Sequence, residues 1–230
     1  MLERIAYTDR ETALTGCLAR PSGPARAAIV IYPTIANVNA HMERRAGLLA
    51  EAGFVAMIAD FYGEPVANVE ASFPLAEQLR ADVGHYRARL SAAIRALRGA
   101  VPGMPMGAIG YCMGGQAALE MARAGEELAL VASFHGLLGT GRPADQPIKS
   151  RILVCHGDAD PLVPREQVLG FWQEMDAVGA NWHFHAYSAV KHGFTDPASD
   201  TRGLAAIGYD ASADRQSWAA LMGICDEVFV

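Results

Sequence analysis

Short, unbroken apolar runs alternate along the chain with longer stretches in which apolar residues recur every three to four positions. Six runs have the length and the endings of strands: 26–32 (RAAIVIY, stopped by Pro33), 54–59 (stopped by Asp60), 106–111, 128–134, 151–155 and 182–187. The spacing between them predicts helices over 41–52, 79–97, 116–124 and 165–178, and a last one over 213–230. In the second of these, Val83, Tyr86, Leu90, Ile94 and Leu97 share one face. Gly53, Gly99, Gly125 and Gly179 follow four of the helices, where a left-handed residue commonly ends the last turn.

Strands that are apolar throughout are buried on both faces. Alternating with helices, they predict an α/β domain with a mostly parallel central sheet covered on each side. One domain over 1–230 is expected, with 5–18 adding one or two edge strands. Sheets of this kind bind ligands beyond the carboxyl ends of their strands. The residues just after each apolar run therefore matter most. Two irregular stretches, 63–72 and 191–212, follow the second and sixth runs and are placed to shape a pocket.

Composition narrows the function. The 230 residues are 51% hydrophobic and 19% charged, which excludes a disordered chain. The net charge of −6, with no basic block, argues against nucleic acid or an anionic membrane as a partner. Apolar runs stop at six residues, far short of the ~20 needed to span a bilayer. The start, Met1-Leu2-Glu3-Arg4, is not that of a secretory leader, and the four scattered cysteines make neither a disulfide frame nor a CxxC pair. A reducing cytoplasm with free thiols is expected. No GxxxxGK[ST], HExxH or GxGxxG occurs, so neither metal nor organic cofactor is expected. The expected partner is a small molecule, with the protein a monomer or dimer.

The strongest local signal is Gly110-Tyr111-Cys112-Met113-Gly114-Gly115, set between a strand and a helix. A nucleophile elbow is a strained turn that lifts its central side chain to the sheet's rim and needs small residues two before and two after it. Gly110 and Gly114 supply these, with Cys112 in the central place. A thiol is a few per cent ionised at neutral pH and needs a base. Of the histidines after the elbow, His183 and His185 alternate within a strand, and His156 reads as structural. His135 ends the fourth strand run and is harder to dismiss. His192, in the loop segment Lys191-His192-Gly193-Phe194, is best placed to reach across. The carboxylate that would orient it lies in His156-Gly157-Asp158-Ala159-Asp160-Pro161, where Asp158 and Asp160 both qualify.

GYCMGG, HGDADPLVP and KHGF together resemble the dienelactone hydrolase family of α/β-hydrolases, and Asp60-Phe61-Tyr62-Gly63 matches that family's post-strand motif. The likeness runs from about residue 27 to 194. It implies an α/β-hydrolase fold and a hydrolase of small esters or lactones. It implies Cys112 as nucleophile, Asp160 rather than Asp158 as acid and His192 as base, working through a thioester acyl-enzyme. It also implies an oxyanion hole from the N–H groups of Met113 and Ile35. Thr34, Tyr111 and Phe194 are candidate substrate-binding residues. The chain departs from the family at Thr34, where a Glu is expected to govern the thiol, and at Asp196, near where an arginine would clamp a substrate carboxylate. Arg80, Arg87, Arg89 and Arg202 are the other candidates for such a clamp. An acyltransferase or thioesterase-like enzyme, or a catalytically inert binding protein, are the alternatives.

Overall fold

The computed structural model describes residues 2–230. Its strands are β1 (Glu3–Asp9), β2 (Thr12–Ala19), β3 (Ala27–Tyr32), β4 (Phe54–Ile58), β5 (Met106–Tyr111), β6 (Leu130–Phe134), β7 (Arg151–Gly157) and β8 (Asn181–Tyr187). Its helices are α1 (Ala40–Glu51), α2 (Val69–Arg80), α3 (Val83–Ala100), α4 (Met113–Arg123), α5 (Arg165–Ala177) and α6 (Ala211–Val228). The strands form one eight-stranded sheet in the order β1-β2-β4-β3-β5-β6-β7-β8. The β1–β2 and β2–β4 pairs are antiparallel and the rest are parallel. The N-terminal edge strands expected over 5–18 are thus β1 and β2.

Alternate residues of each central strand feed opposite faces. Val30 and Tyr32 pack with Leu90, Ile94, Ala118 and Met121 beneath α3 and α4. Ile29 and Ile31 pack with Met42, Leu49, Leu221 and Ile224 beneath α1 and α6. Every residue of β3, β4, β5 and β6 is buried, which is why these runs carry no polar alternation. β8, at the sheet's edge, is only partly buried.

The helix expected over 79–97 is divided. Asp82 leaves the helical conformation (φ −119°) and its side chain accepts from the His85 N–H, starting α3 afresh. Before the break lies α2, whose first turn falls in the stretch expected to be irregular. Asn68 caps it by accepting from Ala71 N–H, and Pro74 sits inside it. At the sixth position of α2 that proline can donate no bond to Glu70 C=O, and this break in the ladder hides the helix in the sequence pattern. The second irregular stretch holds a short 3₁₀ turn, Pro197–Thr201, capped by Asp196. Among the described residues no helix is long and apolar enough to cross a membrane.

Candidate active site

Cys112 stands between β5 and α4 with φ +57° and ψ −119°, a left-handed conformation a side chain rarely adopts. The turn is so tight that a Cβ at Gly110 would lie 1.8 Å from Gly114 O, and one at Gly114 2.0 Å from Tyr32 O. Only glycine fits either place. The Cys112 N–H is shared between Phe134 C=O and His135 Nδ1, each at 3.1 Å. These bonds tie the elbow to the end of β6. The thiol is half-buried at the rim.

Two loops deliver the other groups. After β7 the chain runs beneath the loop that follows β8: Asp158 N–H donates to Tyr187 C=O and Ala159 N–H to Val190 C=O, both at 2.9 Å. This crossing brings Asp160 to His192, with Asp160 Oδ2 at 2.7 Å from His192 Nδ1. Asp160 Oδ1 accepts from Leu162 N–H, so the buried carboxylate is held at both oxygens. Asp158 instead faces outward and pairs with Arg165. The backbone of His192 is clasped by the returning chain, its N–H donating to Ala206 C=O and its C=O accepting from Gly208 N–H.

His192 Nε2 is buried and has no hydrogen bond of good geometry among the described residues, yet it faces the Cys112 sulfur. The distance closes further in complexes of such sites, so a loose contact at rest is expected. Burial pushes the Cys112 thiol up. The nearby His192 ring, by its charge and by facing the sulfur, together with the N–H groups of Met113 and Ile35, outweighs burial and brings the thiol below its ordinary value. Burial pulls His192 down, but the Cys112 sulfur and Asp160 carry it up to about 10. Each group thus favours the charged form of the other, the thiol toward thiolate and the ring toward imidazolium.

The Ile35 amide lies in a turn closed by Asn37 N–H on Thr34 C=O, with Asn37 at φ +61°. Asn37 tolerates that conformation. Its side chain donates to Asp60 Oδ1 at 2.8 Å and accepts from Phe61 N–H. Asp60 also accepts from the N–H groups of Thr15, Tyr62 and Gly63. Tyr62 Oη donates to Ile35 C=O at 3.0 Å. The post-strand motif thus holds the loop that aims the Ile35 N–H at the sulfur.

Thr34, Ile35, Cys112, His135, His192 and Arg202 line one small cavity of about 40 Å³. Tyr111 and Phe194 do not, which corrects the expectation that they bind substrate. Tyr111 shares the strand phase of Ile109, so its ring points into the core beneath α1 and α6 and stacks on Phe134 at 4.8 Å. Phe194 is fully buried edge-on against His135. Of the arginines considered as a clamp, Arg89 is buried against Asp9, Arg87 pairs with Glu120, and Arg80 donates to Ala76 C=O. Only Arg202 reaches the cavity, and it is paired with Asp196.

A buried polar chain under the elbow has no plain signature in the sequence. His135 Nδ1 accepts from Cys112, so its proton is on Nε2, 2.9 Å from Thr195 Oγ1. That hydroxyl then donates to His41 Nε2 at 3.2 Å. Burial first, then the positive charge of His192, holds His135 well below the usual histidine range; burial and Arg45 lower His41 to about 3. Both rings stay neutral. A much larger cleft, about 870 Å³, opens at the opposite end of the sheet around Met104 and Leu128, and neither a cysteine nor a histidine lines it. Among the described residues no three His, Cys, Asp or Glu side chains are grouped to hold a metal ion.

Residues 14–229 match the model of the dienelactone hydrolase family. The chain belongs to the dienelactone hydrolase family. It is an ester and lactone hydrolase by family, built on the α/β-hydrolase fold. A probable 2-oxo-3-(5-oxofuran-2-ylidene)propanoate lactonase of Bradyrhizobium sp. is 30% identical over 200 residues, covering 80% of this chain and 79% of that one. The crystal structure of P91, a dienelactone hydrolase-like promiscuous phosphotriesterase from metagenomic libraries, superposes with a TM-score of 0.91 at 32% identity, covering 100% of this chain and 99% of that one. A structure named m3DLH gives a TM-score of 0.93 at 35% identity, with 100% and 99% covered.

Proposed function

We propose that this member of the family hydrolyses small esters or lactones with a Cys112–His192–Asp160 triad. The observation that carries the reading is His192, held at 2.7 Å by buried Asp160 on one nitrogen and facing the Cys112 sulfur with the other. The Cys112 thiolate attacks the acyl carbon. The oxygen that gains charge is held by the Ile35 and Met113 N–H groups, which already converge on the sulfur. Such donors are each worth about 3–4 kcal/mol of barrier. The His192 imidazolium gives its proton to the departing alkoxide, leaving a thioester on Cys112. Neutral His192 then takes a proton from water, and the hydroxide attacks the thioester. Collapse releases the acid and restores the thiolate, with His192 again protonated. The four unpaired cysteines accord with work in a reducing compartment such as the cytoplasm.

A panel of activated esters and lactones, read by turnover and by intact mass, tests this directly. Turnover with an acyl adduct on Cys112 is expected. Turnover without any adduct at that residue, or transfer of the acyl group only to an added amine or alcohol, overturns the reading.

The ion pair also predicts which thiol reacts. Burial raises the thiol of Cys17, and takes Cys155 and Cys225 up to about 12. A thiol titrating at its ordinary value of 9.0 loses about fiftyfold in thiolate between pH 9 and pH 7. Carboxamidomethylation of Cys112 by iodoacetamide, followed by peptide mass, should fall far less over that range. Ester hydrolysis should rise as the depressed thiol ionises and fall above about pH 10, as His192 loses the proton it donates. A pH profile for Cys112 that parallels Cys17 counts against the pair.

A further inference from the structure

We infer that the cavity selects esters and lactones whose acyl part is uncharged, because the guanidinium on its wall, Arg202, is already paired with the protein's own Asp196. The inference rests on the triad reading above and adds the substrate's charge to it.

The charges around the cavity cancel in pairs. Cys112 and His192 form one pair and Asp196 and Arg202 the other, and all four residues line the same space. His41 and His135, also on the wall, are neutral. The Asp196 carboxylate is fixed by its own backbone setting: its N–H donates to Gly193 C=O, and Oδ1 accepts from Ala198 N–H at 3.0 Å, capping the 3₁₀ turn. Oδ2 is thereby aimed at Arg202 Nη2 from six residues away. The Asp196 side chain is 11% exposed and that of Arg202 32%, so the anion is the more sheltered partner. A carboxylate on the substrate must displace this intramolecular partner and then sit beside it, like charge against like. An ammonium group meets Arg202 and the His192 imidazolium. An uncharged acyl chain meets neither penalty and lies against Ile35, Val69 and Ile207.

The test compares p-nitrophenyl butyrate with p-nitrophenyl hemisuccinate, each rate divided by its uncatalysed alkaline rate. It adds alkylation of Cys112 by iodoacetamide against iodoacetate, in which the thiolate displaces iodide in both cases. The wild-type protein should favour the neutral member of each pair by about tenfold or more. Asp196→Asn keeps the Oδ1 cap and frees Arg202, and it should move both ratios about tenfold toward the anionic reagent. Adding Arg202→Gln should remove that gain. Equal use of both reagents by the wild-type protein, or ratios unchanged in Asp196→Asn, overturns the inference. If neither ester turns over while alkylation keeps its charge preference, the hydrolase reading fails and the charge selectivity stands.

Discussion

Cys112→Ala should lower ester turnover by roughly 10⁴–10⁶-fold, the range seen when the nucleophile of a covalent hydrolase is removed. Among the residues that line the cavity, Cys112 alone is placed to form the acyl intermediate. His192, Asp160 and both amides would remain, but they have nothing to orient except water, and the residual rate reflects their stabilisation of the oxyanion. The fold should survive. The thiol is half-buried, and an alanine in its place would keep the same backbone bonds to Phe134 and His135. Unfolding by heat or urea should shift by no more than about 1 kcal/mol, since a partly exposed thiol contributes little packing. Two measurements check this: kcat/KM with an activated ester, and the unfolding midpoint of the same preparation. A variant that stays folded and retains a tenth of the wild-type rate would remove Cys112 from the chemistry.

Much of this site is legible in the chain because its strands are short and end abruptly. Pro33, Asp60 and the Gly110–Gly115 turn mark where the sheet stops, and the parallel order puts all of those ends on one rim. The need for glycine at 110 and 114 is a contact between backbones, which spacing alone conveys. The choice between Asp158 and Asp160 is different. Both sit in one turn, and what separates them is the crossing of two loops at Ala159 and Val190, a contact between segments 31 residues apart. Spacing carries no trace of it, and only the family resemblance favoured Asp160. Tyr111 misled for the opposite reason. It adjoins Cys112 in sequence, but the strand's pleat turns neighbours to opposite faces, and its partner Ile109 shows which face it shares. The His135–Thr195–His41 chain joins three distant segments by side-chain hydrogen bonds, and none of its members has a local pattern to betray it. Fold and elbow are thus written locally, whereas the support beneath them is written in contacts that only the folded chain makes.

Asp160→Asn should cost about 10³-fold in kcat/KM at pH 7, and the loss should shrink as pH rises. The change is nearly isosteric. The asparagine Oδ1 would still accept from Leu162 N–H, so the turn survives. The other arm, now an NH₂ donor, would replace Oδ2 against His192 Nδ1 at 2.7 Å. A ring facing a donor must present its lone pair there, which places the proton on Nε2, toward Cys112. Two effects follow. The imidazolium loses the carboxylate that helps hold it up near 10. Cys112, with less positive charge beside it, drifts back up toward its ordinary value. The dominant species at pH 7 becomes neutral thiol beside neutral imidazole, a poor nucleophile with no acid to release the alcohol. Raising the pH ionises the thiol without help from His192, so part of the rate returns. A serine nucleophile, far less acidic, would show no such recovery. The pH profile of this variant between 6 and 10, measured with an ester whose leaving group needs no protonation, separates this role from a structural one. A flat tenfold loss at every pH, or an equal loss in Asp158→Asn, would transfer the orienting role elsewhere. Asp158 is salt-bridged at the surface and should be nearly silent when changed.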